Sequence, residues 1–239
     1  MSKFTWFSGR GPALTQLQLE RRRQLAEPCA FDEGPLQQQR LVILDLETSG
    51  LNMRRDQVLS IGAVVIEHGA IDLSRQFECT LQHEGHRASA STLIHGIAPS
   101  EIANGVEPAE ALLSFMEFVG DSPLLAFHAE FDRRMLARAL KQSLGYRLQH
   151  AFFDVAELAP LLCPQARIHH GGLDEWVGYF GLQVQQRHHA SADALVTAEL
   201  ALILFSKARQ QQLDSLQALQ QRLASWQRRQ RAHSLHRQH

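Results

Sequence analysis

Net charge is nearly absent from this chain. Lys and Arg number 24 against 25 Asp and Glu, a formal balance of −1 at neutral pH. No global basic field therefore marks a tight, nonspecific binder of polyanions, although an enzyme that grips only a strand end through cations is not excluded. Cysteine is scarce as well. Cys29, Cys79 and Cys163 are odd in number, widely spaced and without a C-x-x-C pattern, so they read as free thiols of a reducing compartment. Long apolar runs are missing: nothing approaches about 18 apolar residues in a row, and the start of the chain has no apolar leader core. A soluble, cytoplasmic protein with no membrane segment is the expectation. Enough apolar material remains for a fold. At 239 residues and 44% hydrophobic content, the chain can hold one large domain or two small ones around a sizeable core.

Three short acidic stretches stand out. They are Asp45-Leu46-Glu47-Thr48, His128-Ala129-Glu130-Phe131-Asp132, and His188-His189-Ala190-Ser191-Ala192-Asp193. The first ends an apolar run from Leu41 to Leu46 that reads as a buried strand. Side chains two apart on a strand point to the same face, so Asp45 and Glu47 project together and Leu46 faces away into core. Two carboxylates held that close repel unless one is protonated or a cation lies between them. Hard oxygen donors on a rigid strand suit Mg²⁺ or Mn²⁺. The plain alternative is a pair of solvated acids at a strand end.

The rest of the chain reads as follows. Leu14 to Leu25 is amphipathic and carries Arg21-Arg22-Arg23; Pro28, Gly34 and Pro35 then break regular structure. Strands are expected over Leu41–Glu47, Val58–Glu67 and Ile71–Leu81, with His68-Gly69 as a tight hairpin turn. A helix over Pro108–Val119 places Ala111, Leu112, Phe115 and Val119 on one face. Strand Leu124–Phe127, helix Arg133–Leu144, a short strand Ala151–Phe153 and helices Val155–Leu162, Leu173–Phe180 and Ala192–Phe205 follow. An early hairpin followed by alternating helices and strands fits a mixed sheet with helices packed on it. From Lys207 the chain is rich in Gln and Arg, and Leu216, Leu219, Leu223 and Trp226 repeat at helical spacing. That tail is either a helix lying on its own domain, a partner-binding or dimerising helix, or a basic arm for nucleic acid. Gln212-Leu213-Asp214-Ser215-Leu216 is faintly similar to short peptides that bind sliding clamps, but it lacks their terminal aromatic and is expected inside the helical pattern.

Taken together the three acidic stretches resemble the DEDDh exonucleases, the 3′–5′ exonuclease family that includes the proofreading epsilon subunit of bacterial DNA polymerase III. Asp45 and Glu47 match the first motif, Asp132 the second, and His188 with Asp193 the third. The segment from Asp56 to Val64 looks like the family's second strand, and His95-Gly96-Ile97 like its loop before the long helix. The resemblance covers roughly residues 40 to 206. It implies an α/β, ribonuclease H-like mixed five-stranded sheet flanked by helices. Residues 1–39 would then be an N-terminal extension, 40–206 the exonuclease domain, and 207–239 a helical, Gln/Arg-rich C-terminal tail.

The resemblance also implies the chemistry. Asp45 would bridge two Mg²⁺ or Mn²⁺ ions, Glu47 and Asp193 would complete the first site, and Asp132 would serve the second. His188 would take a proton from the attacking water, a task that suits an imidazole because it titrates near neutrality. The residues alone leave His188 and His189 both open; the family's spacing, five residues before the acid, selects His188. Thr48 would contact the terminal nucleotide, though a local backbone cap is nearly as good a reading of it, and His128, which matches the second motif, would bind substrate. Ala129 stands where the family commonly has Asn, which puts substrate hydrogen bonding in doubt but not metal binding. Arg54-Arg55 and Arg133-Arg134 are candidate phosphate contacts or ordinary surface arginines. His169-His170 reads as loop. The implied partners are a single-stranded 3′ end of DNA, or RNA in an alternative reading, and a DNA polymerase or other protein through the C-terminal helix. A non-catalytic scaffold is disfavoured, because all five motif positions are intact.

Overall fold

The computed structural model describes residues 14–85, 91–168, 171–184 and 187–236. Helix α1 (Gln16–Arg23) comes first, then β1 (Leu41–Thr48), β2 (Val58–Glu67) and β3 (Ala70–Thr80). The short helices α2 (Thr92–His95) and α3 (Pro99–Ala103) lead to α4 (Pro108–Val119). Next come β4 (Leu124–Ala126), α5 (Ala129–Leu144), β5 (Phe152–Asp154), α6 (Val155–Leu162) and α7 (Leu173–Phe180). Two long helices end the chain, α8 (Ala190–Gln210) and α9 (Leu216–His236). Among the described residues no helix is long and apolar enough to cross a membrane.

The strands form one sheet in the order β3-β2-β1-β4-β5. β1 is antiparallel to β2 and parallel to β4; β2–β3 is antiparallel and β4–β5 parallel. β1 is central, which explains its opening run: Leu41, Val42, Ile43 and Leu44 are all fully buried because both faces are covered. β3 is the edge and is mostly exposed, with Asp72, Arg75 and Glu78 on it. The β2–β3 hairpin turns on His68 and Gly69, both at positive φ, as a two-residue turn matching the sheet twist requires.

The alternation along β1 sorts two cores. Leu41 and Ile43 join α6, α7, α8 and α9 on one face; Val42, Leu44 and Leu46 join α4 and α5 on the other. Extending that alternation puts Asp45 and Glu47 on the α8 face. This parity decides which helix can bring them a third carboxylate.

Two helices start earlier than their apolar pattern predicts. The spacing predicts Arg133–Leu144 and Ala192–Phe205, whereas α5 begins at Ala129 and α8 spans Ala190–Gln210. His128 and His189 occupy the N-cap positions, so Asp132 and Asp193 fall in the first helical turns, where acids are favoured by the orphan amides. At the start of the described chain, Thr15 and Gln18 form a capping box that shortens the amphipathic Leu14–Leu25 stretch to α1. α1 is tied to α4 by Arg21, which pairs with Glu117 at 2.7 Å and also with Glu110.

The tail folds back on the domain. Leu216, Leu219 and Leu223 are buried in the α8-side core, with Trp226 packed against it. Each such leucine stabilises by roughly 1.5–3 kcal/mol, well above what a surface polar contact adds. The Gln212–Leu216 segment does not lie inside a continuous helix, as the periodicity predicts; the chain breaks between Gln210 and Leu216, with Gln212 at φ 61°. Main-chain bonds from Leu36 N–H to Asp214 O (3.0 Å) and Gln217 N–H to Asp32 O (3.1 Å) clip this break to the N-terminal extension.

Candidate active site

Three carboxylates converge where β1 meets α8. Oxygen atoms of Asp45, Glu47 and Asp193 lie within 4.8 Å of one another. The cause is a missing side chain. Gly62 of β2 is the direct register partner of Asp45, so it faces α8 as well. A Cβ built on Gly62 would come within 2.1 Å of the backbone of Ala190 and Ser191. Glycine therefore lets the first turn of α8 lie against the sheet and lowers Asp193 beside Asp45. Gly62→Ala is expected to push the α8 N-terminus away, at a cost of roughly 1–3 kcal/mol in stability, and to weaken divalent-cation binding. Thermal melting and a calorimetric Mn²⁺ titration check this; wild-type values in both would refute it.

The electrostatics are those of repelling, partly desolvated acids. Burial first, then the charges of Asp132, Glu47 and Asp193, hold the Asp45 carboxyl well above its usual range. Glu47 is pushed up to about 7, by burial and then by Asp193. Burial also raises Asp132, helped by Asp154 and opposed by an amide hydrogen bond from Leu46. Arg187 supplies local positive charge: its guanidinium bridges Asp193 and Asp174. Hard oxygen donors, crowded together and short of positive charge, fit a divalent cation.

A carboxylate whose pKa is raised by folding binds protons more tightly in the folded state. Without a cation, its contribution to stability is whole below the ordinary carboxylate range and is lost as pH rises through about 7 for Glu47. In chelator, the melting temperature is therefore expected to fall between about pH 5 and pH 8, and a divalent cation should restore it at the upper end. A flat profile in chelator, unresponsive to cation, would contradict this.

The other candidates lie around the triplet. Asp132 is 4% exposed and sits beside the three acids, not among them. His188 has φ 61°; its N–H donates to Asp193 Oδ2 at 3.1 Å and its ring is exposed. His189 is held differently: its Nδ1 lies 3.0 Å from Ser191 Oγ and its Nε2 3.3 Å from Glu78 Oε1. Thr48 Oγ1 donates to Gly50 O at 2.9 Å, the local cap. His128, at φ 62°, donates its N–H to Asp154 Oδ1 at 3.0 Å, and its ring packs edge-on to Phe127. Arg133 and Arg134 both pair with Glu130, and Arg55 lies 3.5 Å from Asp56. His95 and Ile97, with Glu78 and His189, line a small cavity next to Glu47. His169-His170 lies outside the described residues.

Two site residues escape the sequence reading. Asp154 caps α6 by accepting from Ala156 N–H at 2.9 Å, and it also accepts from the His128 amide just described. The signal was an acid between an apolar strand and a helix, the usual N-cap position. Arg187 had a fainter signal, a lone cation directly before the third acidic stretch.

The family model for RNase_T, described as "Exonuclease", matches residues 42–201. The PolC-type DNA polymerase III of Thermotoga maritima is 30% identical over 180 residues, 75% of this chain and 12% of that protein. The PolC-type enzyme of Bacillus subtilis is 27% identical over 186 residues, 76% of this chain and 12% of its own. The chain thus spans about an eighth of the length of these curated relatives. Among solved structures, exonuclease X in complex with 5′-overhanging duplex DNA matches with a TM-score of 0.57 at 21% identity, over 70% of this chain and 92% of that one. Escherichia coli exonuclease I in complex with a dA16 oligonucleotide matches with a TM-score of 0.60 at 15% identity, over 72% and 42%. At such identities the structural matches speak to the fold.

Proposed function

The chain belongs to the RNase_T exonuclease family and has its ribonuclease H-like fold, and from that premise we propose that it is a metal-dependent 3′–5′ exonuclease that removes nucleoside monophosphates from DNA ends. The observation that carries this is the convergence of Asp45, Glu47 and Asp193 inside the matched span. DNA is favoured over RNA because the relatives are DNA polymerases by name and the structural neighbours were solved with DNA. The polymerase names also support a proofreading or repair setting.

Asp45, Glu47 and Asp193 would hold one Mg²⁺ or Mn²⁺ ion, and Asp45 with Asp132 a second. Bound there, such ions supply charge neutralisation at the phosphate and ready ionisation of the attacking water. The chain's own groups do the rest. Arg187 holds Asp193 in place and balances its charge until the cations bind. The backbone of His188 is anchored to Asp193 while the residue stays exposed, which supports a role for its ring in accepting a proton from water. His189 is committed to Glu78 and Ser191. Thr48 keeps its acceptor lone pairs for the terminal nucleotide, and His128 presents an exposed ring beside Asp154.

The test uses end-labelled single-stranded DNA, mismatched duplex and RNA, each with Mg²⁺ or Mn²⁺. Stepwise shortening from the 3′ end, faster on DNA, is expected. Faster loss of RNA would move the substrate to RNA. No cleavage of any substrate would leave only a scaffold.

A further inference from the structure

The acidic triplet has a cation of its own in Arg187. The guanidinium bridges two helices: Nε donates to Asp174 Oδ1 in the first turn of α7, and Nη1 donates to Asp193 Oδ1 in the first turn of α8. The two ends of this bridge differ. The Asp174 side chain is 71% exposed and that of Asp193 7%. An exposed pair is screened and contributes little, so Asp174 serves Arg187 as a loose tether. A buried carboxylate needs a positive partner, and removing the one it has is costly unless another takes its place. Arg133 and Arg134 are paired with Glu130, outside the triplet. The charge of Arg187 also reaches the other two acids, where it opposes the burial that pushes the Asp45 and Glu47 carboxyls up.

Guanidinium and divalent cation are therefore rival partners of one carboxylate. Both together would set like charges side by side in a half-buried site, where repulsion is only weakly screened. Asp193 does not depend on Arg187 for its position. Its Oδ2 accepts from the His188 N–H at 3.1 Å, and its own N–H donates to His189 O at 2.9 Å as α8 begins. Arg187 can thus leave Asp193 without loosening it, and can keep Asp174 as it does so. What it then offers, next to the three carboxylates, is a planar fork of N–H donors. That fork matches the oxygens of a phosphate.

We propose that Arg187 trades partners: it gives up Asp193 to a divalent cation and then donates to the phosphate of the nucleic-acid end, tethered throughout by Asp174. The identity of the phosphate rests on the exonuclease reading; the rivalry with the cation does not. The trade has two consequences of opposite sign. Arg187 weakens cation binding by the protein alone, and strengthens phosphate binding once a cation is present. A phosphate that gives the displaced guanidinium a new partner also helps to retain the cation, and by linkage the cation helps to retain the phosphate to the same degree.

Two calorimetric titrations read both signs: Mn²⁺ into the protein without nucleic acid, and thymidine 5′-monophosphate into the protein saturated with Mn²⁺. R187Q should bind Mn²⁺ about fivefold more tightly than the wild type and the monophosphate about tenfold more weakly. R187K keeps the charge without the fork, so its Mn²⁺ affinity should stay near wild type while its monophosphate affinity falls severalfold. A residue that only positions Asp193 predicts a different pattern, with R187Q weakening both ligands, and that result would overturn the trade. If either shift is missing, or if the wild type binds no Mn²⁺, the trade falls as well. Melting curves establish that the variants are folded; should R187Q fail to fold, R187K decides, and an unchanged monophosphate affinity there counts against the trade. Hydrolysis of an end-labelled strand is scored separately. A wild type that shows both shifts but cuts nothing keeps the trade and sinks the exonuclease reading.

Discussion

Asp45→Asn is expected to abolish nuclease activity, by at least about 10³-fold, while the protein stays folded. On the proposed assignment Asp45 would hold both cations against the reacting phosphate; such a group is worth several kcal/mol in the transition state, and about 4 kcal/mol is 10³ in rate. The stability side has the opposite sign. Asp45 is disfavoured as an anion by burial and by Asp132, Glu47 and Asp193 together. Replacing the charge with an isosteric amide removes that repulsion, so in chelator at neutral pH the variant should melt at or above the wild-type temperature. It should also lose the stabilisation that divalent cations give the wild type. Rate, melting temperature and cation response are measured on one preparation. More than about a tenth of wild-type rate would contradict the placement of Asp45 between cations. A large drop in melting temperature would mean that Asp45 holds the fold and not an ion.

Strand and helix periodicity made much of this legible. Period-two alternation along β1 is a local rule, so Asp45 and Glu47 could be placed on one face and Leu46 on the other. The 3-4-3 spacing of Leu216, Leu219, Leu223 and Trp226 likewise marked a seam, although only the fold shows that its own core fills it. What stayed hidden depends on register and long-range contact. Gly62 looked like any strand glycine; its role arises because it pairs with Asp45 and because α8 crosses there. The clip from Asp32 and Leu36 to Asp214 and Gln217 joins segments about 180 residues apart, beyond any local pattern. Asp154 and Arg187 left only weak local signals for a third reason: each acts on the site through another residue, by capping or by pairing.

The adjacent histidines are the sharpest case, since sequence spacing and structure bear on them independently. His188→Ala is expected to lower kcat by roughly 10²–10⁴-fold with little change in cation affinity, because on the proposed assignment the carboxylates would carry the ions. His189→Ala should have a much smaller effect on kcat and a modest one on melting temperature, since it removes the contacts to Glu78 and Ser191. The backbone separates the two. His188 takes a left-handed φ of 61° with its amide on Asp193, and His189 is extended at φ −129° as the N-cap of α8. The two residues therefore leave the chain in different directions, and the ring of His189 is already held by Ser191 and Glu78. The pH–rate profile supplies a second readout. A base that must be unprotonated to act gives the rate an acidic limb. That limb should vanish in His188→Ala and persist in His189→Ala. The reverse pattern, with the large loss and the missing limb at His189, would move the base one residue along and assign the Glu78 contact to orienting it.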